Sequence, residues 1–158
     1  MKKRGQLLAQ PFIFIFAIIF GALILAFGTW AIFNIKERAE LAELTLAITD
    51  IKKEVNSYYN LETGSSKELN IALPKKVEKI CFTVPKEQFT KTSDQELNQL
   101  LQNNQKYHAF IFPINIFKLT KFEIPHLKPI KNPLCITTKN SLKAVIETKD
   151  YYVEIREK

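Results

Sequence analysis

No charged side chain occurs between Gly5 and Ile35. From Pro11 the chain reads PFIFIFAIIFGALILAFGTWAIF, and Lys2, Lys3 and Arg4 stand just before it. About twenty apolar residues at ~1.5 Å rise each cross a ~30 Å hydrocarbon core, so the run is long enough to span a bilayer. A cleaved secretory signal would carry only ~7–15 apolar residues before a small-x-small site. The run here is longer, and no clean A-x-A follows it. A soluble core helix that is apolar on every side would need more protein around it than the remaining ~120 residues supply. The sequence therefore reads as a membrane anchor, and everything after Lys36 as a domain held at a surface. That removes most readings as a soluble enzyme.

Flanking charge sets the direction. Lys2, Lys3, Arg4 and the free amine precede the span, while Lys36, Glu37, Arg38, Glu40 and Glu43 follow it and are net acidic. Positive residues stay cytoplasmic, which puts the N-terminus inside and the bulk of the chain outside. Trp30 and Phe33 fall near the outer end, where interfacial aromatics sit. Gly21 and Gly28 are seven apart and do not make the G-x-x-x-G spacing of close helix pairs.

The chain does not turn after the span. KERAELAELTLAITDIKKEVNSYY contains no Gly or Pro. Leu41, Leu44, Ile48, Ile51, Val55 and Tyr58 recur at alternating spacings of three and four, which lines one helix face with apolar side chains. Glu37, Glu40, Glu43, Asp50, Lys52, Lys53 and Glu54 fill the other faces. The stripe is too short for a free coiled coil, so it is expected to seat the helix on its own head or on a neighbour. The helix should stop near Asn60, before Gly64-Ser65-Ser66. From about Leu7 it could then run roughly 80 Å, with Pro11 early enough to be tolerated.

Residues 67 to 158 read mostly as strands. KELNIAL alternates at Leu69, Ile71 and Leu73, Pro74-Lys75-Lys76 turns, and VEKICFTV places Ile80, Phe82 and Val84 on one face, the pattern of a hairpin. Ser93-Asp94-Gln95-Glu96 is a capping-box pattern opening a short helix with Leu97, Leu100 and Leu101 inside. YHAFIFPI and NIFKLTKFEI are further strand candidates. A loop punctuated by Pro125, Pro129 and Pro133 follows, and then LCITT, LKAVIET and YYVEIR, with turns at Asn140 and at Lys149-Asp150. The expected fold is α+β: a long N-terminal helix, half transmembrane and half amphipathic, bearing a small and mostly antiparallel β head. In residue ranges this is a basic leader at 1–5, a span at 6–35, an amphipathic continuation at 36–60 and the head at 61–158.

Cys81 and Cys135 are the only cysteines. Both lie on the segment placed outside, where oxidation is permitted, and each sits in a strand-like stretch. A disulfide between them would close a loop of about 50 residues and contribute ~4 kcal/mol on the chain-entropy model; two buried free thiols are the alternative. Neither cysteine has a companion at metal-ligand spacing.

The search for chemistry finds little. His108 lies in an apolar strand and His126 between Pro125 and Leu127, and neither has a partner at ligand spacing. There is no G-x-S-x-G, H-E-x-x-H, Walker loop or G-x-G-x-x-G, and four glycines in the whole chain leave no phosphate-cradling loop. Acidic head residues (Glu78, Glu87, Asp94, Glu96, Glu123, Glu147, Asp150, Glu154) are scattered. The net charge of +7 falls to +4 without Lys2, Lys3 and Arg4. That excess could favour anionic headgroups, although a solvated lysine surface is the plainer reading. Lysines are not interleaved with stacking aromatics, so no nucleic-acid partner is expected. No catalytic residue, cofactor or metal is expected.

Lys2-Lys3-Arg4-Gly5-Gln6 followed at once by a long apolar helix resembles the leader of archaeal type IV pilin-like proteins. The resemblance implies that a prepilin-type membrane peptidase cuts on the cytoplasmic side between Gly5 and Gln6, leaving Gln6 as the mature N-terminus. It also implies a long N-terminal helix that bears a β-rich head and packs against identical helices in an extracellular filament. Bacterial-style pilins carry Glu at the fifth mature position, where this chain has Gln10. The expected function is that of a structural surface protein: a subunit or minor subunit of a pilus-like filament, with lipid, copies of itself or other envelope proteins as partners. The alternative is a permanently anchored single-pass protein whose ectodomain binds an extracellular or envelope partner. A membrane-anchored hydrolase using paired carboxylates is a remote third.

Overall fold

The computed structural model describes residues 9–158 apart from 93, 115–116 and 118–119, with side chains from Phe12 onward. The leader residues Lys2, Lys3 and Arg4 and the Gly5–Gln6 junction lie outside the described residues. The chain divides into two units, Met1–Glu40 and Leu41–Lys158. Helix α1 (Ala9–Tyr59) supplies the described part of the first and enters the second. No helix breaker follows Pro11 except the isolated Gly21 and Gly28, so the α-helical ladder has no cause to stop before Asn60. There the chain turns through Leu61, whose N–H donates to the Tyr58 carbonyl at 3.0 Å, and through Gly64 at φ +92°, a left-handed conformation that glycine adopts without penalty.

The second unit is α+β. Its strands are β1 (Ser66–Ala72), β2 (Lys79–Phe82), β3 (Ala109–Phe112), β4 (Lys121–Phe122), β5 (Leu127–Pro129), β6 (Leu134–Thr137), β7 (Ser141–Thr148) and β8 (Val153–Glu157), with a short helix α2 (Gln95–Asn103) between β2 and β3. They form two four-stranded sheets, ordered β1-β7-β8-β5 and β4-β3-β2-β6. All pairings are antiparallel except β5 with β8.

Period-two alternation explains the layers. Leu69, Leu142, Ala144, Ile146, Val153 and Ile155 of the first sheet share one core with Ile80, Phe82, Ala109, Ile111, Leu134 and Ile136 of the second. Leu44, Ala47, Ile48, Ile51 and Val55 of α1 belong to the same core. The opposite face of the second sheet is also covered: Cys81, Phe110 and Phe112 pack with Leu97 and Leu101 of α2. That is why every residue of β3 is buried. A sheet covered on both faces reads as a continuous apolar run rather than an alternating one.

Three details depart from the sequence reading. β1 and β2 do not form a hairpin; β1 pairs with β7, and β2 sits between β3 and β6 in the other sheet. The segment between them crosses from sheet to sheet: Leu73 N donates to the Asn140 carbonyl and Glu78 N to the Phe112 carbonyl, both at 2.9 Å. Alternation fixes which face a strand buries but not its neighbour. The proline-punctuated loop contains β5, a three-residue edge strand. Pro129 is tolerated there because one side of an edge strand needs no N–H donor. The N-cap of α2 is Asp94, whose carboxylate accepts from Leu97 N at 3.1 Å; Ser93 lies outside the described residues.

Candidate functional site

The most unusual surface belongs to the first unit. From Phe12 to Ile35 every large apolar side chain is between 51% and 73% exposed. Burying one such side chain completely is worth ~1.5–3 kcal/mol, so the sixteen of them, each only partly exposed, leave roughly 15–30 kcal/mol of burial unrealised. That exceeds the ~5–15 kcal/mol by which a domain is stable. The helix therefore requires apolar surroundings that this chain alone does not supply. By length and composition α1 is suited to cross a membrane, or to act as a signal segment. Its 24 residues from Phe12 to Ile35 reach about 36 Å.

The polar atoms in this stretch are satisfied from within. Thr29 Oγ1 donates to the carbonyls of Leu25 at 2.8 Å and Ala26 at 3.0 Å, and Asn34 Nδ2 donates to the Trp30 carbonyl at 2.9 Å. Hydrocarbon tolerates such groups only when they are bonded internally. Phe16 and Phe20 stack at 5.1 Å, and Phe27 meets Trp30 edge-on at 5.9 Å. A Cβ added at Gly21 or Gly28 would meet nothing within 4 Å, so no close approach within this chain requires either glycine.

The stripe that continues down α1 has the opposite environment. Leu44, Ile51 and Val55 are fully buried and Ile48 is 2% exposed; Leu41 is half-buried, and Tyr58 packs partly buried against the core. Ala47, absent from the stripe that the spacing predicts, is buried beside them. The far end of the helix is pinned by Thr148, whose buried hydroxyl donates to the Tyr58 carbonyl at 2.7 Å. Tyr59 stacks on His126 at 3.8 Å.

Cys81 and Cys135 are bonded. They lie directly opposite each other on β2 and β6, with Cα atoms 3.9 Å apart, and face the smaller core under α2. Beside them Lys79 bridges to Asp94 at 2.5 Å and lies over the Phe112 ring at 4.4 Å. The Lys79 ammonium and the Leu97 amide hold the Asp94 carboxyl below its ordinary range.

The histidines and carboxylates are placed as follows. His108 is half-buried and its Nδ1 has no partner; burial holds its pKa below the ordinary value, against the pull of Glu123. Glu147 and Glu154 are opposite each other across β7 and β8, a juxtaposition that the sequence could not show. They lie on the outward face of the first sheet, where Glu147 bonds Lys149 at 2.5 Å and Arg156 approaches at 3.7 Å. Lys149 lowers the pKa of Glu147, as Lys106 lowers that of Glu123. Among the described residues no three His, Cys, Asp or Glu side chains gather closely enough to hold a metal ion.

No protein-family model, curated protein or solved structure matches the chain. What the coordinates establish is a long apolar N-terminal helix followed by a small β domain with a disulfide, which is a pilin-like architecture.

Proposed function

We propose that the chain is a pilin-like structural subunit, major or minor, of an extracellular filament. It would be inserted in the membrane by residues 6–35, with its N-terminus cytoplasmic and its head outside, and would have no catalytic role of its own. The observation that carries this reading is the exposure of every large apolar side chain from Phe12 to Ile35. Lipid would cover them first, and identical helices would cover them in the filament. The Cys81–Cys135 bond supports an oxidising compartment for the head, and the resemblance at Lys2–Gln6 supports removal of the leader by a prepilin-type peptidase. One observation favours a permanently anchored ectodomain instead. Gln10 stands where a bacterial-style pilin has a carboxylate to meet the new N-terminal amine.

The N-terminal residue of the surface-exposed protein separates the two. Mass spectrometry should find Gln6 first, and Gly5→Leu should block processing and leave a slower-migrating form. Intact Met1 or Lys2 on the surface-exposed protein would sink the filament reading and leave the anchor.

A further inference from the structure

Four strands stand at the edges of the two sheets: β1 and β5 in the first, β4 and β6 in the second. β4 has two residues, β5 three including Pro129, and β6 four, whereas β1 has seven. An edge strand presents a row of unpaired N–H and C=O groups, and natural sheets blunt it with short length, proline, a bulge or a free charge. β1 uses none of these. It contains no proline, and its register against β7 runs unbroken from Ser66 opposite Glu147 to Ala72 opposite Ser141. Its two charged side chains are both held, since Lys67 bonds Glu54 at 2.8 Å and Lys158 bonds Glu68 at 2.5 Å.

The bonds to β7 fix which groups are left over. At the two ends of the ladder Leu73 N donates to the Asn140 carbonyl at 2.9 Å and Thr148 N to the Ser65 carbonyl at 2.8 Å. Backbone groups of successive residues turn to opposite sides of a strand. The odd-numbered residues therefore bond β7, and Ser66, Glu68, Asn70 and Ala72 turn their N–H and C=O groups away from it. All four are exposed. Among the described residues no other strand and no side chain bonds these outward groups. A strand that completes the edge must carry the same alternation, and a second β1 does so.

We infer that the outer edge of β1 is a self-association site, at which two heads pair β1 with β1 antiparallel about a two-fold axis. With Leu69 on the axis, Ser66 is bonded to the second copy's Ala72 and Glu68 to its Asn70, and the reverse pairs follow by symmetry. Every outward N–H and C=O from Ser66 to Ala72 is then used. Residues directly opposite share a face and interact. The Glu68 carboxylate meets the second copy's Asn70 amide, an acceptor against a donor. On the other face Leu69 meets Leu69, and the partly exposed Ile71 meets the stem of Lys67. Sliding the pair by two residues one way sets Glu68 against Glu68, a like-charge opposition that destabilises. Sliding it the other way opposes Ser66 to Pro74, which has no N–H to give. Such an interface is isologous and closes on itself, so it makes pairs rather than open aggregates. The inference concerns the head alone and does not depend on what covers the apolar part of α1.

The test uses the full chain in detergent, with amide hydrogen exchange resolved to single residues across a dilution series. The N–H groups of Ser66, Glu68, Asn70 and Ala72 should exchange about tenfold more slowly in concentrated than in dilute samples. Those of Lys67, Leu69 and Ile71, already bonded to β7, should be slow throughout. Even-numbered amides that stay fast at every concentration overturn the inference, even if the chains associate through their apolar helices. Register is read by mixing chains that carry Glu68→Cys with chains that carry Asn70→Cys and oxidising them. The mixture should give a disulfide-linked dimer and neither chain alone should. A linked dimer from one chain alone, or none from the mixture, overturns the pairing. Asn70→Pro removes an outward N–H and no bond to β7, a change that an edge strand tolerates. It should abolish the concentration dependence at Ser66, Glu68 and Ala72 while circular dichroism shows the fold intact; protection that persists there also overturns the inference.

Discussion

Ile51→Ala tests whether the second half of α1 is a core element of the head or a stalk beneath it. Ile51 is 0% exposed and belongs to the core formed by both sheets. The substitution removes three carbons, worth ~2.4 kcal/mol of transfer at ~0.8 kcal/mol each. The site lies between a helix and two sheets and can collapse only in part, so the cavity adds ~1–2 kcal/mol. The expected loss is ~3.5–4 kcal/mol, a large share of the ~5–15 kcal/mol available to a domain. For a unit of this size that lowers the melting temperature by roughly 10–15 °C. Thermal unfolding of the full chain in detergent, followed by circular dichroism in the β-sheet region, reads it directly. Leu46→Ala is the control, because Leu46 is on the same helix and 65% exposed; it should shift stability by less than ~0.5 kcal/mol. If the two variants melt together, or if Ile51→Ala costs under ~1 kcal/mol, the helix is not part of the core and the argument for a unit beginning at Leu41 fails.

Two further outcomes follow. Denatured, unreduced protein should show no alkylatable thiol, and C81S/C135S should lose ~4 kcal/mol of stability; two thiols modified without reductant would refute the bond. Because burial depresses the pKa of His108, its contribution to stability is complete above the unfolded value near 6.5 and is lost as pH falls below that toward the folded value. Glu123 draws the proton on, while Lys52 and His126 oppose it. The denaturant midpoint should therefore fall between pH 7 and pH 5, and His108→Phe should flatten that slope. A midpoint that does not move in the native chain would contradict the burial of Nδ1.

What was legible in the sequence was local. The alternation of Leu142, Ala144 and Ile146 declares a strand and its buried face, and the spacing from Leu44 to Val55 declares a helix and its buried stripe. What was not legible was non-local. A period of two does not reveal whether β1 lies beside β2 or β7, since either partner buries Leu69 equally well. Strand β5 was hidden because Leu127–Pro129 is too short to show a period and carries a residue that interior strands reject. The cysteines were legible as strand residues, but their direct opposition needed the register of β2 with β6.

The two halves of α1 state the physical problem that any function must solve. Up to Ile35 the side chains require an apolar medium, and from Leu44 onward the head supplies one. If lipid is that medium, whatever takes the helix out of it must cover a similar length of apolar surface, which a second copy of the same helix can do. On the proposed reading, the leader would decide whether that exchange is open. Drawing Lys2, Lys3 and Arg4 outward through hydrocarbon would cost ~2.5–3.5 kcal/mol each on the insertion scale, or ~8–10 kcal/mol together. On the proposed orientation, an uncut chain would be held in place by its own basic prefix. Cutting before Gln6 removes three of those charges and leaves a single amine ahead of an uncharged run that reaches Ile35. On this reasoning anchor and filament subunit do not differ in the head or in the span, and one peptide bond separates them.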